Sequence, residues 1–336
     1  MHSSSRDALH FVGPRDVAIV AEPVAAPGSG ELLVETVVSA ISPGTELLVY
    51  RGEVPSGMAL DAAIDGMRSD ARFPLKYGYS TVGRVVALGP GVDEGWRGRL
   101  AFCLHPHESR FLARADELYP VPDGVSAEHA ALYPSAETAL TLVMDGRPMI
   151  GEHVAVFGQG IVGLMVTALL ARFPLASLVT FDLHLLRRRL SRELGADDAV
   201  DPCSAPAAAP RRDCDLTYEL SGDPATLDDA IAVTGFCGRV VIGSWYGERA
   251  APVALGGAFH RSRMRLICSQ VSTIDPALSG RWSMQRRRDA AWDLLTQIAP
   301  ARLVTHRFPF AAAPDAYALL DRHPDEAVQV LLTYEA

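Results

Sequence analysis

The chain has 336 residues, 49% of them hydrophobic and 21% charged, which is enough for two domains of roughly 150 residues with proper cores and too apolar for a disordered chain. A formal net charge of −9 argues against a nucleic-acid or anionic-membrane binder. The clearest basic run, Arg286 to Arg288 with Arg281, reads as a solvated helix face. No apolar run reaches the roughly 18 residues of a bilayer span, and MHSSSRDALH lacks the apolar core of a signal peptide, so a cytoplasmic protein is expected. Five scattered cysteines without a C-x-x-C pair predict buried thiols rather than a disulfide framework or a zinc lobe.

Between about residues 15 and 120, short β-type runs (VAIVAEPV, LLVETVVSAIS, TVGRVVALG, RLAFCLH) are broken by Gly and Pro, the pattern of a compact, mainly β domain. SAEHAALYPSAETALTLVMDG then offers apolar residues at helical spacing, with Ser126 as N-cap, and predicts one helix linking two domains. After it strands and helices alternate. HVAVFG, LVTFD, DDAVD, DLTYEL, RVVIGSW and MRLICSQ are strand-like, and IVGLMVTALLAR, LLRRRLSREL and PATLDDAIAVT are helical, which together describe a doubly wound parallel sheet. SAPAAAP (204–210) reads as a surface loop. A final strand, AVQVLLTY, has no room in a complete six-stranded sheet, so the tail is expected to rejoin the β domain. The predicted division is 1–123 with 302–336, and 124–301.

Gly158-Gln-Gly-Ile-Val-Gly163 is a G-x-G-x-x-G that directly follows a strand and opens a helix. In that setting Gly158 makes the turn, Gly160 admits a pyrophosphate close to the backbone, and Gly163 allows helix to pack on strand, with Gln159, Ile161 and Val162 completing the cradle at the positive helix end. Asp182 stands nineteen residues further on, where a carboxylate accepts hydrogen bonds from the ribose 2′-OH and favours NAD over NADP. His184, Arg187 and Arg188 leave NADP open. Ser221, Gly222, Gly243 and Ser244 lie at carboxyl ends of the fourth and fifth strands, where ribose and nicotinamide would be bordered. Trp245 and Tyr246 would wall the substrate side or pack between domains.

This order of parts, with GEHVAVFGQGIVGLM at its centre, resembles the medium-chain dehydrogenase/reductase superfamily over nearly the whole chain. The resemblance implies a GroES-like mainly β catalytic domain plus a Rossmann doubly wound sheet, an α/β protein overall. AISPGTELLVYRGEVP and GYSTVGRV are most similar to its zinc-lacking subgroup of bacteriochlorophyllide 3-hydroxyethyl dehydrogenase-like proteins. Where zinc members carry a Cys ligand in a loop after an early strand, this chain has Pro43. Where they carry His and Glu, it has Tyr79 and Ser80, and the third ligand falls near Pro134, three residues from Glu137. The structural zinc lobe is also absent, so no metal is expected. His105-Pro-His107-Glu108 is a compact donor set that would bind metal if both imidazoles shared one face of a strand.

Hydride transfer without zinc still needs a proton donor and acceptor at the substrate oxygen. Thr45 matches the family hydroxyl that begins a proton relay, and Tyr79 would face the substrate oxygen in place of a ligand. Glu137 is expected near the nicotinamide, and His105 and His107 are candidate acid/base groups because imidazole titrates near neutrality. Glu46 is expected to fix a G-T-E turn. The reading is a zinc-independent NAD(P)-dependent oxidoreductase interconverting a secondary alcohol and a ketone. Enone reduction and a catalytically silent NAD(P)H-binding protein are the alternatives. Expected partners are a small-molecule substrate and, by resemblance, a second copy paired through MRLICSQVS (264–272), with no nucleic acid and no membrane.

Overall fold

The computed structural model describes residues 4–54, 72–203, 213–298 and 300–335. They divide into two units, Met1–Pro134 with Ala299–Ala336 and Ser135–Ile298. The Ala/Pro-rich piece 204–210 lies outside the described residues.

The first unit opens with an antiparallel hairpin of β1 (Ser4–Gly13) and β2 (Asp16–Val24), a strand earlier than the sequence reading places one. An ion cluster ties this hairpin to Lys76, because Glu22 takes Arg6 at 2.9 Å, His10 at 2.7 Å and Lys76 at 3.1 Å. Burial opposes ionisation of Glu22, but hydrogen bonds from His10, Arg6 and Lys76 outweigh it and bring its pKa down to about 2 from 4.5. A depressed carboxylate stabilises the fold above its unfolded pKa and loses that contribution as pH falls through the folded value. Glu22→Gln should therefore lower thermal stability at pH 7, with the gap to wild type closing as pH falls from about 4.5 towards 2; a pH-independent gap would refute the linkage.

After β3 (Glu31–Ile41) the chain enters α1 (Pro43–Arg51) instead of the expected loop. Pro43 at the first helical position has the backbone angle a helix start needs, and Glu46 reaches back to accept the Ser42 N–H at 2.8 Å. Gly52, in the left-handed region at φ 73°, closes the helix with Glu53 N–H bonded to the Leu48 carbonyl at 2.8 Å. Then come β4 (Thr81–Leu88), β5 (Leu100–Cys103), β6 (Arg110–Arg114) and β7 (Leu118–Pro120). The single helix expected from Ser126 is two, α2 (Ala127–Ala130) and α3 (Tyr133–Gly146). Ser126 caps the first by accepting the His129 N–H at 3.2 Å, and Pro134, which has no N–H, prevents one continuous ladder. The unit boundary falls in the first turn of α3, beyond the predicted residue 123.

The second unit alternates β8 (His153–Phe157), α4 (Ile161–Leu170), β9 (Ser177–Phe181), α5 (Leu185–Glu193), β10 (Asp198–Val200), β11 (Cys214–Glu219), α6 (Thr226–Val233), β12 (Thr234–Ile242), β13 (Arg265–Cys268) and α7 (Met284–Ile298). Its six strands are all parallel, in the order β10-β9-β8-β11-β12-β13. Strand order reverses between β8 and β11, which is where a doubly wound sheet opens a ligand crevice at its carboxyl edge. Central strands are buried on both faces, so β8 reads as a continuous apolar run. Arg287 of α7 is 1% exposed, which corrects the reading of the arginine run as wholly solvated.

The tail adds β14 (Val304–Pro309), α8 (Ala313–Arg322) and β15 (Gln329–Thr333) to the first unit. β15 pairs antiparallel with β3, Leu331 opposite Ala40, in a sheet ordered β14-β15-β3-β4-β5-β7 with β6 also on β3. Tyr317 of α8 packs edge-on against Phe11 at 5.3 Å and stacks with Tyr50 at 5.5 Å, so tail, hairpin and α1 share one core. Among the described residues no helix is long and apolar enough to cross a membrane. Only Cys103 and Cys214 are buried; Cys203, Cys237 and Cys268 are exposed, against the expectation for all five. Cys203 lies in a turn, Cys237 in an irregular stretch of β12 at φ 58°, and Cys268 at the end of the edge strand β13, places that the scattered spacing does not reveal. Burial pushes the Cys103 thiol up to about 12, which leaves it inert.

Candidate active site

In the second unit, Gly158 ends β8 at φ 85°, and a Cβ there would meet backbone atoms of Leu220 and Ser221 at 2.5 Å. At Gly163 a Cβ would lie 2.0 Å from the Gly158 carbonyl oxygen, so α4 can approach β8 only with glycine at both places. Gly160 differs: a Cβ on it would meet nothing within 4 Å, and its backbone, at φ −66°, accepts any residue. It borders open space at the head of α4, where the first N–H groups, those of Ile161 and Val162 among them, have no partner within the helix.

The Gln159 side chain turns inward. It is fully buried, accepting from Thr167 at 2.9 Å and donating to the Gly158 carbonyl at 3.2 Å, while its backbone N–H donates to Asp182 at 2.7 Å. The other Asp182 oxygen accepts the His184 N–H at 2.8 Å, so this carboxylate braces the glycine turn from the end of β9. Arg187 stands 4.0 Å from it, and Arg188 is engaged by the Asp182 and Leu183 carbonyls and by Asp201.

Along the same edge, Glu219 at the end of β11 is fully buried. One oxygen accepts the Ser221 N–H at 2.8 Å and its hydroxyl at 2.5 Å, and the other accepts the Tyr246 phenol at 2.5 Å. Burial and Glu219 push the Tyr246 phenol far above its usual range, so it remains a protonated donor. Ser244 accepts the Gly222 N–H at 2.9 Å, and a Cβ on Gly243 would meet Leu142 and Leu220 at 2.6 Å. The Gly243 N–H donates to the Glu219 carbonyl at 3.0 Å, so Gly243 and Ser244 tie the ends of β11 and β12 together, while Ser221 bonds within the turn that follows β11. Glu219 was not singled out in the sequence; its signal is a carboxylate at the carboxyl end of a largely buried strand.

In the first unit the Tyr79 phenol lies 2.5 Å from Ser42 Oγ and 3.1 Å from Thr45 Oγ1. A phenol has one proton, so it donates to one hydroxyl and accepts from the other, and the three oxygens form a chain along which a proton can be handed on. Ser42 escaped the sequence reading because it lies one residue before Pro43, the position set against the Cys ligand. Ser80, fully enclosed, donates to the Ala131 carbonyl.

Behind this cluster is a buried network. Glu46 is fully buried, with one oxygen on the Ser42 N–H and the other taking the Tyr317 phenol and His107 Nε2, the latter at 3.0 Å. His107 Nδ1 is 2.7 Å from Ser39 Oγ, which is 2.9 Å from the Tyr334 hydroxyl. Gly78 is required here, because a Cβ would meet His107 Nε2 at 2.6 Å. Burial, then Glu46, hold the Tyr317 phenol well above its usual range, so it acts only as a donor.

The two histidines do not share a strand face as imagined, because β5 ends at Cys103 and both lie in the following loop. His105 stacks on Phe111 at 4.0 Å and donates Nδ1–H to the Pro106 carbonyl at 3.0 Å, and burial lowers its pKa. Glu108 is paired with Lys76 at 2.5 Å and Arg6 at 2.9 Å. No group of three or more His, Cys, Asp or Glu side chains among the described residues is arranged to hold a metal ion. Glu137 on α3 pairs with Arg287 at 3.0 Å. An open depression of about 550 Å³ lined by Pro148, Met149, Ile150 and Phe173 lies by the amino-terminal end of β8, at the edge of the sheet opposite the glycine turn.

No protein-family model matches the chain. It is 27% identical to 2-desacetyl-2-hydroxyethyl bacteriochlorophyllide A dehydrogenase of Cereibacter sphaeroides, across 98% of both chains. Its fold superposes on 2R,3R-butanediol dehydrogenase from Bacillus subtilis with a TM-score of 0.79 at 20% identity, covering 98% of this chain and 99% of that one. Its fold is that of the medium-chain dehydrogenase/reductase superfamily. Its two units are the GroES-like and Rossmann parts of that superfamily's fold. A further structure of similar fold, acetophenone reductase from Geotrichum candidum in complex with NAD, has a TM-score of 0.77 at 18% identity, covering 98% of this chain and 97% of that one.

Proposed function

We propose that the protein is a nicotinamide-dependent oxidoreductase that interconverts a secondary alcohol and a ketone without a catalytic metal, moving the proton through Tyr79, Thr45 and Ser42. The observation that carries this is the three-hydroxyl chain, in which Tyr79 stands at the sequence place where zinc members of the superfamily have His, while Pro43, between Ser42 and Thr45, stands where they have Cys. Pro43 has no side-chain donor, Ser80 is spent on the Ala131 carbonyl, and Glu137 is held by Arg287, so these positions do not fit a tetrahedral zinc. The compounds named for the three relatives above, a hydroxyethyl compound, a butanediol and acetophenone, agree with a secondary alcohol or ketone.

The second unit fits a dinucleotide. Gly160 leaves room for a pyrophosphate, the start of α4 offers N–H groups and a positive dipole end, and Asp182 favours NAD over NADP. Bound nicotinamide would supply or accept the hydride. Tyr79 gives its proton to the substrate oxygen in reduction and recovers one from Thr45 or Ser42; in oxidation the flow reverses. His107, with Glu46, is assigned to holding the start of α1, and His105 and Glu137 to packing and pairing. A homodimer joined through the exposed edge strand β13 completes the proposal.

Paired glycine substitutions test the cofactor half. Gly160→Ala should leave the melting temperature unchanged yet weaken NADH binding about tenfold or more, a loss of ~1.4 kcal/mol or more. Gly163→Ala should lower stability by about 1–3 kcal/mol, because its Cβ meets a backbone carbonyl that cannot yield. Unchanged NADH affinity in Gly160→Ala would remove the dinucleotide from this turn. Product analysis with a panel of secondary alcohols, ketones and enones tests the reaction; saturation of an enone without carbonyl reduction would replace it.

A further inference from the structure

Arg287 has more polar partners than a stabilising ion pair requires. Its guanidinium places Nε and Nη2 at 3.3 Å and 3.0 Å from Glu137 Oε1, and it also donates to the Val271 carbonyl at 2.6 Å and the Thr273 carbonyl at 3.0 Å. Burying such a group is a weak route to stability, since apolar replacements of buried ion pairs are often neutral or better. What it secures is the shape of a backbone. Residues 269–273 leave the carboxyl end of β13 without regular structure and are partly exposed, yet they are tied at both ends. Ser269 bonds through its N–H to the Ile242 carbonyl at 3.0 Å and through its hydroxyl to Asp145 at 2.6 Å. Asp145 and Glu137 both belong to α3, so one helix braces the segment at its start directly and at its end through Arg287.

A dinucleotide lies across the carboxyl edge of a doubly wound sheet, one nucleoside on each half. With the adenosine ribose assigned to Asp182 on the first half, the nicotinamide half falls to the ends of β11, β12 and β13. We infer that Arg287 is a positioning residue for the nicotinamide half of the cofactor, fixing the 269–273 backbone in the conformation that receives it. This rests on the cofactor reading above.

The test compares NADH, followed by its fluorescence, with ADP-ribose, which lacks the nicotinamide ring, followed by calorimetry. Arg287→Met should weaken NADH about tenfold, equal to ~1.4 kcal/mol, and leave ADP-ribose within about twofold of wild type. Arg287→Lys, which keeps charge but not the planar fork, should fall between. Should Arg287→Met fail to fold, Ser269→Ala removes one tie from a partly exposed site and should weaken NADH about threefold, ~0.65 kcal/mol, without affecting ADP-ribose. Equal weakening of both ligands, or of neither, overturns the inference. A wild-type protein that binds neither ligand overturns the cofactor reading itself.

Discussion

Tyr79→Phe is expected to lower turnover by about 10²- to 10⁴-fold, the usual contribution of a positioned acid–base group, while NADH affinity stays within about twofold of wild type. The substitution removes one oxygen and keeps the ring, whose edge-on contact with Tyr77 at 6.1 Å and place against the surrounding apolar cluster do not depend on the hydroxyl. Thr45→Val deletes the second oxygen of the chain, 3.1 Å away. Because the hydroxyls act in series, the double variant should be little worse than Tyr79→Phe alone, since residues that work as a unit are strongly non-additive. Steady-state rates on the best substrate of an alcohol and ketone panel would read this out. Turnover intact in both single variants would leave Tyr79 as packing.

Glu46→Ala should be the most damaging single change in the first unit, at about 3–5 kcal/mol. It strands the Tyr317 phenol and His107 Nε2 in a fully buried space and leaves the half-buried Ser42 N–H without its acceptor. For a unit of this size roughly 2–4 °C accompanies each kcal/mol, so thermal denaturation should show a fall of about 10 °C or more. Glu46→Gln keeps the shape and should cost less, although its amide N–H₂ would confront one of the same donors. Because Glu46 anchors the start of α1, which places Ser42 and Thr45, the folded Gln variant should also lose turnover. A melting temperature unchanged in Glu46→Ala would mean the network contributes nothing.

The parallel sheet was legible because buried parallel strands are continuous apolar runs and each is followed by a turn or helix signal. The G-x-G-x-x-G needed only that context. The hairpin strand β1 was not seen, because Arg6, Asp7 and His10 interrupt its apolar positions, and the partners of Arg6 and His10, Glu22 and Glu108, come alongside only in the fold. α1 had a signal that the comparison with a ligand loop hid: Ser-Pro followed by Glu46 is how a helix starts. Thr45 and Tyr79 could be paired from the sequence, but Ser42 could not, because its place depends on where that helix begins. Three successive arginines on a helix point about 100° apart, so they cannot all face water on a packed helix, and it takes the tertiary fold to show that Arg287 is the one inside. The proximity of His107 to Glu46, 61 positions apart in sequence, has no local signature at all.

The metal-free proton chain is tested most directly by zinc content and turnover of the same preparation before and after exhaustive dialysis against a chelator. Zinc well below one equivalent per chain, with turnover unchanged by chelation but lowered by Tyr79→Phe, is the expected result. One zinc per chain, with turnover lost on its removal and restored by adding it back, would contradict it.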